Sequence, residues 1–304
     1  MPFILIQGTY HLVNRNPKTG KESGFEPDGD SIHFKPANPD LLNRLTQVGR
    51  PYKLTNIGSL MLRFEGIDAL ELHYAPDGGG ASSHQPRPLA DNARDFLTGQ
   101  LGLNPVPYAP PRNVAVKPPV ERDATPGFIL SRTLETNGRP VAFAFSALRE
   151  PPADDGTDAT LTTSLLNRSL NYKLVQNGQA YPLFYEGLFV DLRKAMATAA
   201  GQARKNKRGL WPLDKSQTGL VVNNQADLEM GGVIFPKLFR RLTDYLAAKQ
   251  GPLADFPAWL AAKWELVLDL RALNFTHLDN LIKVQGNKVK LTRLPEEMVF
   301  VSQK

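Results

Sequence analysis

Two periods of apolar residues run through the chain: alternation, which predicts strands, and a three-to-four spacing, which predicts helices. Residues 1–7 read as a first strand through Phe3, Ile4, Leu5 and Ile6, and residues 31–34 as a short second one. Residues 59–67 alternate, with Leu62 and Phe64 on one face and Met61, Arg63 and Glu65 on the other. Residues 127–133 and 140–145 flank Glu135-Thr136-Asn137-Gly138-Arg139. Asn-Gly between two such runs is a strong hairpin signal. Helical spacing links Ala90, Ala93, Phe96, Leu97 and Leu101. It links Leu166, Leu170 and Leu174, ending at Asn177-Gly178. A third stripe joins Leu188, Leu192, Ala195, Ala199 and Ala203 and stops at Gly209.

Strands, a helix, more strands and two helices suggest a small barrel or curled sheet with helices packed on it, an α+β arrangement. Stretches 75–88, 104–125 and 150–158 are rich in Gly, Pro and small polar residues and read as surface loops inserted in a compact core. After Trp211-Pro212 the texture changes. Residues 215–225 look like a polar connector, and helices are predicted over 236–249 and 257–270. A hairpin is predicted around Gln285-Gly286-Asn287-Lys288, between alternating Ile282, Val284, Val289 and Leu291. Phe235, Phe239, Tyr245, Trp259 and Trp264 are spaced as helix core. The chain is therefore expected to divide into a domain over 1–214 and a small α+β extension over 215–304.

The 304 residues suffice for one large domain or two ordinary ones. Thirty-six Lys and Arg against thirty Asp and Glu leave +6, which favours anionic partners. The extension, with twelve basic and nine acidic residues, carries +3 of that excess. The absence of cysteine excludes disulfide scaffolds, thiolate metal sites and cysteine nucleophiles. The five histidines include no close-spaced pair, so any metal is expected to be a hard cation held by oxygen. No apolar run approaches the roughly 20 residues that span a bilayer, and the start lacks the features of a leader. A cytoplasmic protein with no membrane role is the expectation.

Several polar residues stand out against this frame. Asp28-Gly29-Asp30 immediately precedes a strand. Asp68 closes the strand that holds Arg63, Glu71 follows three residues later, and Arg139 stands just after the hairpin turn. Two carboxylates at strand ends can bind a divalent ion, a third can handle a water, and two guanidiniums can grip a phosphate. Each piece alone is ordinary; an Asp-Gly-Asp in a turn is most often only a turn.

Taken together, the motifs resemble the staphylococcal nuclease family (thermonucleases). Phe25-Glu26-Pro27-Asp28-Gly29-Asp30-Ser31 resembles its "DGDT" strand. The segment from Arg63 through Asp68 to Glu71 is similar to its "R-x-x-x-x-D-x-x-E" element, with the spacing kept. Asn137-Gly138-Arg139 is similar to its "YGR" turn. Leu174-Val175-Gln176-Asn177-Gly178-Gln179-Ala180 resembles its "L-V-x-x-G-x-A" helix end, and Ala203 to Gly209-Leu210-Trp211 its closing "A-x-x-x-x-x-G-L/I-W" element. The resemblance runs from about Gly24 to Trp211.

That resemblance implies an OB-fold, a five-stranded β-barrel with packed helices, and a calcium-dependent nuclease acting on DNA and possibly RNA, with other divalent ions able to serve. Asp30 and Asp68 would be the metal carboxylates, with a main-chain carbonyl from Ala69 where the family has threonine. Glu71 would position or deprotonate the attacking water. Arg63 and Arg139 would hold the phosphate and offset its transition-state charge. Asn137 replaces the tyrosine of the turn, and Tyr185 is the residue expected to stack on a nucleotide. The alternative is a non-catalytic OB-fold adaptor that binds nucleic acid. The extension is expected to contact a protein partner or a second copy, or to hold the nuclease in check, although no single residue of the sequence points to that restraint.

Overall fold

A computed structural model describes residues 2–109, 114–115, 123–147, 150–248 and 251–302, so the expected loop 104–125 lies partly outside the described residues. The chain is mixed α+β and forms two compact units, each discontinuous in sequence. One comprises Met1–Glu65 and Arg94–Leu174, the other Gly66–Ala93 and Val175–Gln303. The expected extension shares the second unit with residues 66–93 and 175–214. No helix among the described residues is long and apolar enough to cross a membrane.

The first unit is built on one nearly closed, barrel-like sheet. Its main strands are β1 (Phe3–His11), β2 (His33–Pro36), β3 (Leu60–Met61), β4 (Arg63–Phe64), β5 (Thr125–Leu134) and β6 (Pro140–Ser146), in the spatial order β3-β2-β1-β5-β6-β4. The closure follows from the expected strand 59–67, which is broken rather than continuous. Its first part pairs antiparallel with β2, and its second runs parallel to β6 at Val141↔Arg63. Only Leu62 separates the two, so the two ends of the sheet are one short stretch of chain. The alternation holds through the break: Leu62 and Phe64 are buried, while Met61, Arg63 and Glu65 are partly exposed. Phe3, Leu5, Tyr10, Phe34, Phe128, Leu130 and Phe143 complete this core. The buried Asn171 ties a helix to the sheet by accepting from Ala144 N–H (2.9 Å) and donating to the carbonyls of Ala142 (3.0 Å) and Glu65 (2.9 Å). Three filled hydrogen bonds make a buried amide tolerable.

In the second unit, Ile67–Ala69 pairs with Ala180–Pro182. The helix Val190–Lys205 buries Leu192, Met196, Ala199, Ala200 and Ala203, so Met196 takes the core place expected of Ala195. Gly178 and Gly209 adopt left-handed φ of 67° and 53°. A Cβ on Gly209 would lie 2.1 Å from the Gly178 carbonyl oxygen, so the two backbones meet where no side chain fits. The helix Pro236–Ala247 matches expectation at its start and ends slightly early. The predicted helix 257–270 does not form as such. Phe256–Ala261 is helical, but Leu266–Asp269 is a strand pairing with both Asn274–His277 and Met298–Phe300. Leu-Val-Leu-Asp alternates in burial, which is the period of a strand. Trp264, at φ 51° and 70% exposed, separates the two elements and is not core. Phe235, Phe239 and Tyr245 are buried, and Trp259 is half-buried. The hairpin Ile282–Gln285 with Lys288–Leu291 forms as predicted.

Candidate functional site

The expected site residues fall in both units, and each set has its own surroundings. Asp30, Arg63 and Arg139 belong to the first. The turn Asp28-Gly29-Asp30 is closed by a bridge between Asp28 and Ser31. The Asp30 carbonyl accepts from Phe64 N–H at 3.0 Å, which brings Asp30 alongside the Arg63 strand. Arg139 enters β6 directly after the hairpin turn. Gly138 holds that turn at φ 79°, and a Cβ there would lie 2.5 Å from the Pro51 carbonyl oxygen. Glu135, four residues before Arg139, organises the corner: its Oε1 accepts from Asn137 N–H (3.0 Å), Arg139 N–H (3.2 Å) and Arg139 Nε (3.1 Å). Burial alone would raise the Glu135 pKa, but hydrogen bonding and charge from Arg139, with Arg63 adding its own charge, hold it below the usual value. The corner thus pairs Glu135 with Arg139, while Arg63 contributes its charge.

Glu65 lies on the same stretch as Arg63. Burial pushes its pKa from 4.5 up to about 7, against the pull of Arg132 and Arg63. Arg132 sits 3.6 Å from it, at the irregularity that shifts register between Ser131 and Thr133. His33 is stacked flat on Phe25 with ring centres 3.5 Å apart, and its pKa is lowered from 6.5 to about 4 by burial and by His11. The first unit also holds a cavity of about 420 Å³ bounded by Gly8, Thr9, His11, Lys35 and Phe128. None of the expected site residues lines it.

Asp68, Ala69, Glu71 and Tyr185 belong to the second unit. Asp68 and Ala69 are buried in the ladder, opposite Tyr181 and Ala180. Asp68 and Glu71 converge on one cation, Arg240 of the helix Pro236–Ala247. Arg240 Nη1 and Nη2 reach the two Asp68 oxygens at 3.0 and 2.9 Å, and Nη1 also donates to Glu71 Oε1. The side chains of Arg240, Asp68 and Glu71 are 21%, 5% and 16% exposed. Burial would lower the Arg240 pKa, but the two carboxylates outweigh it and raise it well above the ordinary value.

The same helix and the chain just before it make further bonds, to residues 66–93 and to Glu265. Asp244 accepts from Tyr74 Oη (2.9 Å) and Asp77 N–H (3.1 Å). Buried Gln85 accepts from Glu71 N–H (3.3 Å) and donates to the Ile234 carbonyl (2.7 Å). Lys237 and Arg241 pair with Glu265. Tyr181 and Phe184 are buried, whereas Tyr185 keeps some exposure, with Lys237 Nζ 5.9 Å from its ring centre.

Arg240 and Glu135 are the partners that motif reading missed. Glu135 had a local signal, since a carboxylate four residues before an arginine across a tight turn can reach back to it. Arg240 had none, because helix 236–249 reads as core packing.

The fit of calcium, the ion the resemblance implies, turns on the donor set. Both oxygens of Asp68 and Oε1 of Glu71 already accept from a guanidinium. Among the described residues no three His, Cys, Asp or Glu group to hold an ion. As folded, the acid pair fits Arg240 and not a divalent metal. No family model matches the chain, and no curated protein matches it.

Proposed function

We propose that this chain is a phosphodiesterase acting on nucleic acid, an OB-fold nuclease of the staphylococcal type. In this reading Arg63 and Arg139 hold the phosphate, and Glu71 takes the water-handling part that the resemblance implies only once Arg240 releases it. The observation that carries it is the first unit's corner, where Glu135 bonds Arg139 and the Arg63 strand pairs alongside at Val141. A phosphodiester is anionic, and attack on it builds further negative charge. One guanidinium fixed at a rigid turn and a second on the strand paired beside it would offset that charge with little reorganisation. Glu135 is a positioning residue that fixes Arg139 through its Nε. Asp68 could serve with Asp30 and Ala69 as the ion ligand that the resemblance implies only where Arg240 no longer occupies its oxygens; Tyr185 keeps its proposed part in stacking.

The test is cleavage of labelled single- and double-stranded DNA and RNA in calcium, magnesium, manganese or EDTA. Wild type, Arg240→Gln, Arg63→Ala and Glu71→Gln would be compared. The expected result is cation-dependent cutting by wild type or by Arg240→Gln. Placing Arg63→Ala in the cutting background should lower it by on the order of 10²-fold or more. The occupied acid pair favours a second reading, the non-catalytic nucleic-acid adaptor. Substrate that is bound but left intact by every variant would establish that reading and sink the nuclease.

A further inference from the structure

We infer that Arg240 is the resident cation of the Asp68–Glu71 pair and excludes a divalent ion from it: metal and Arg240 compete for the same oxygens. The inference deepens the proposed function and rests on it only for its consequence, that the site is latched shut. Its physical basis lies wholly in the second unit. Asp68 presents both oxygens to one guanidinium in the fork geometry that arginine matches best. Glu71 adds a second carboxylate to the same Nη1. A divalent ion binding Asp68 would have to displace the guanidinium or lie against it, and a buried pair of cations sharing one carboxylate is strongly disfavoured.

Arg240 is also not placed by chance contact. Its helix is held on the same segment by Asp244 with Tyr74 and Asp77. The residue before that helix's N-cap is tied to Gln85, which also grips the Glu71 backbone. Opening the acid pair therefore means either removing one side chain or moving the whole helix. Neighbouring charge does not compete for the role, since Arg241 and Lys237 are committed to Glu265 and Arg241 also to Asp244.

The test is titration of the full chain with calcium by calorimetry, and with terbium by luminescence. Wild type, Asp68→Asn, Arg240→Gln, Arg240→Lys and Arg240→Gln/Asp68→Asn would be compared. Wild type and Arg240→Lys should show no heat that depends on Asp68. Arg240→Gln should gain one site at least tenfold tighter than any in wild type, and the added Asp68→Asn change should abolish it. Calcium should likewise raise the thermal midpoint of Arg240→Gln alone. If Arg240→Gln does not fold, Arg240→Gln/Glu71→Gln, with one fewer uncompensated carboxylate, takes its place under the same criterion. The inference is overturned by wild-type calcium binding that Asp68→Asn removes, or by a folded Arg240→Gln that gains no site. A gained ion site with no cleavage of any nucleic acid would end the nuclease reading and leave this one standing. Calcium-dependent cleavage by wild type through an ion at Asp68 would do the reverse.

Discussion

The two charged clusters invert one another: in the first unit a glutamate bonds Arg139 and feels the charge of Arg63, and in the second two carboxylates share one arginine. They differ in where the counter-ion comes from and how deeply the charge it answers is sealed. Glu135 is supplied by the same hairpin as Arg139, whose side chain is 33% exposed. Arg240 arrives from a helix 172 residues beyond Asp68, whose side chain is 5% exposed. A local, half-open pair can exchange its partner for a solute anion at little cost. A distant, buried pair is part of the fold and gives up its partner only when something larger changes. The arginine corner is therefore the more exchangeable of the two, and the acid pair is held.

The largest effect expected from this contrast is on stability. Arg240→Leu leaves two carboxylates, one fully buried, without their cation, and should cost about 3–5 kcal/mol. Arg139→Leu removes a partly exposed partner and should cost less than about 1 kcal/mol. Urea unfolding of both variants checks this, and equal losses would break the comparison. Adding Asp68→Asn and Glu71→Gln to Arg240→Leu should recover most of the loss, because no uncompensated charge then remains.

A smaller effect sets the two units apart by pH. The first unit carries two groups whose pKa shifts act on stability with opposite signs. His33, lowered from 6.5 to about 4, binds its proton more weakly folded than unfolded, so its contribution is present above pH 6.5 and lost as pH falls toward 4. Glu65, raised from 4.5 to about 7, holds its proton more tightly when folded, so its contribution is present below pH 4.5 and lost as pH rises toward 7. In wild type the two largely cancel. Glu65→Gln should leave the His33 dependence bare, so that stability climbs between pH 4 and 6.5 by no more than about 3 kcal/mol. Chemical denaturation across that range measures it, and a flat profile in Glu65→Gln would show that His33 is not the opposing group.

How much of this was legible in sequence follows the same divide between local and distant. The strands around Leu62 and Phe64, the Asn137-Gly138 hairpin and the stripe through Leu192, Ala199 and Ala203 were readable because each is fixed by spacing within a few residues. The break at Leu62 was not, since closing the sheet requires two partners that lie far away in sequence. Residues 266–269 were misread as helix because a short apolar run fits either period, and Trp259 and Trp264 lent it a helical look. Only the left-handed backbone at Trp264 and the pairing with Met298–Phe300 decide it. The acids Asp68 and Glu71 stood out by motif, but nothing local to them or to the core-like helix 236–249 announced that Arg240 would lie between them.

The smallest expected effect probes the half-open cluster directly. Glu135 is held ionised by Arg139 and Arg63, so it competes with any anion for their charge. Glu135→Gln keeps the shape and an acceptor oxygen for the Asn137 and Arg139 amides, so the turn should persist with a stability loss of about 1 kcal/mol or less. What changes is the charge that a phosphate meets. Binding of a short single-stranded oligonucleotide should tighten a few-fold. The slope of log K against log salt should steepen by up to about one, the mark of one more cation available to the phosphates. Wild type and variant with the same affinity and the same slope would mean that the nucleic acid does not meet Arg139 at all. The arginine corner would then be as structural as the acid pair, and the contrast between the two clusters would dissolve.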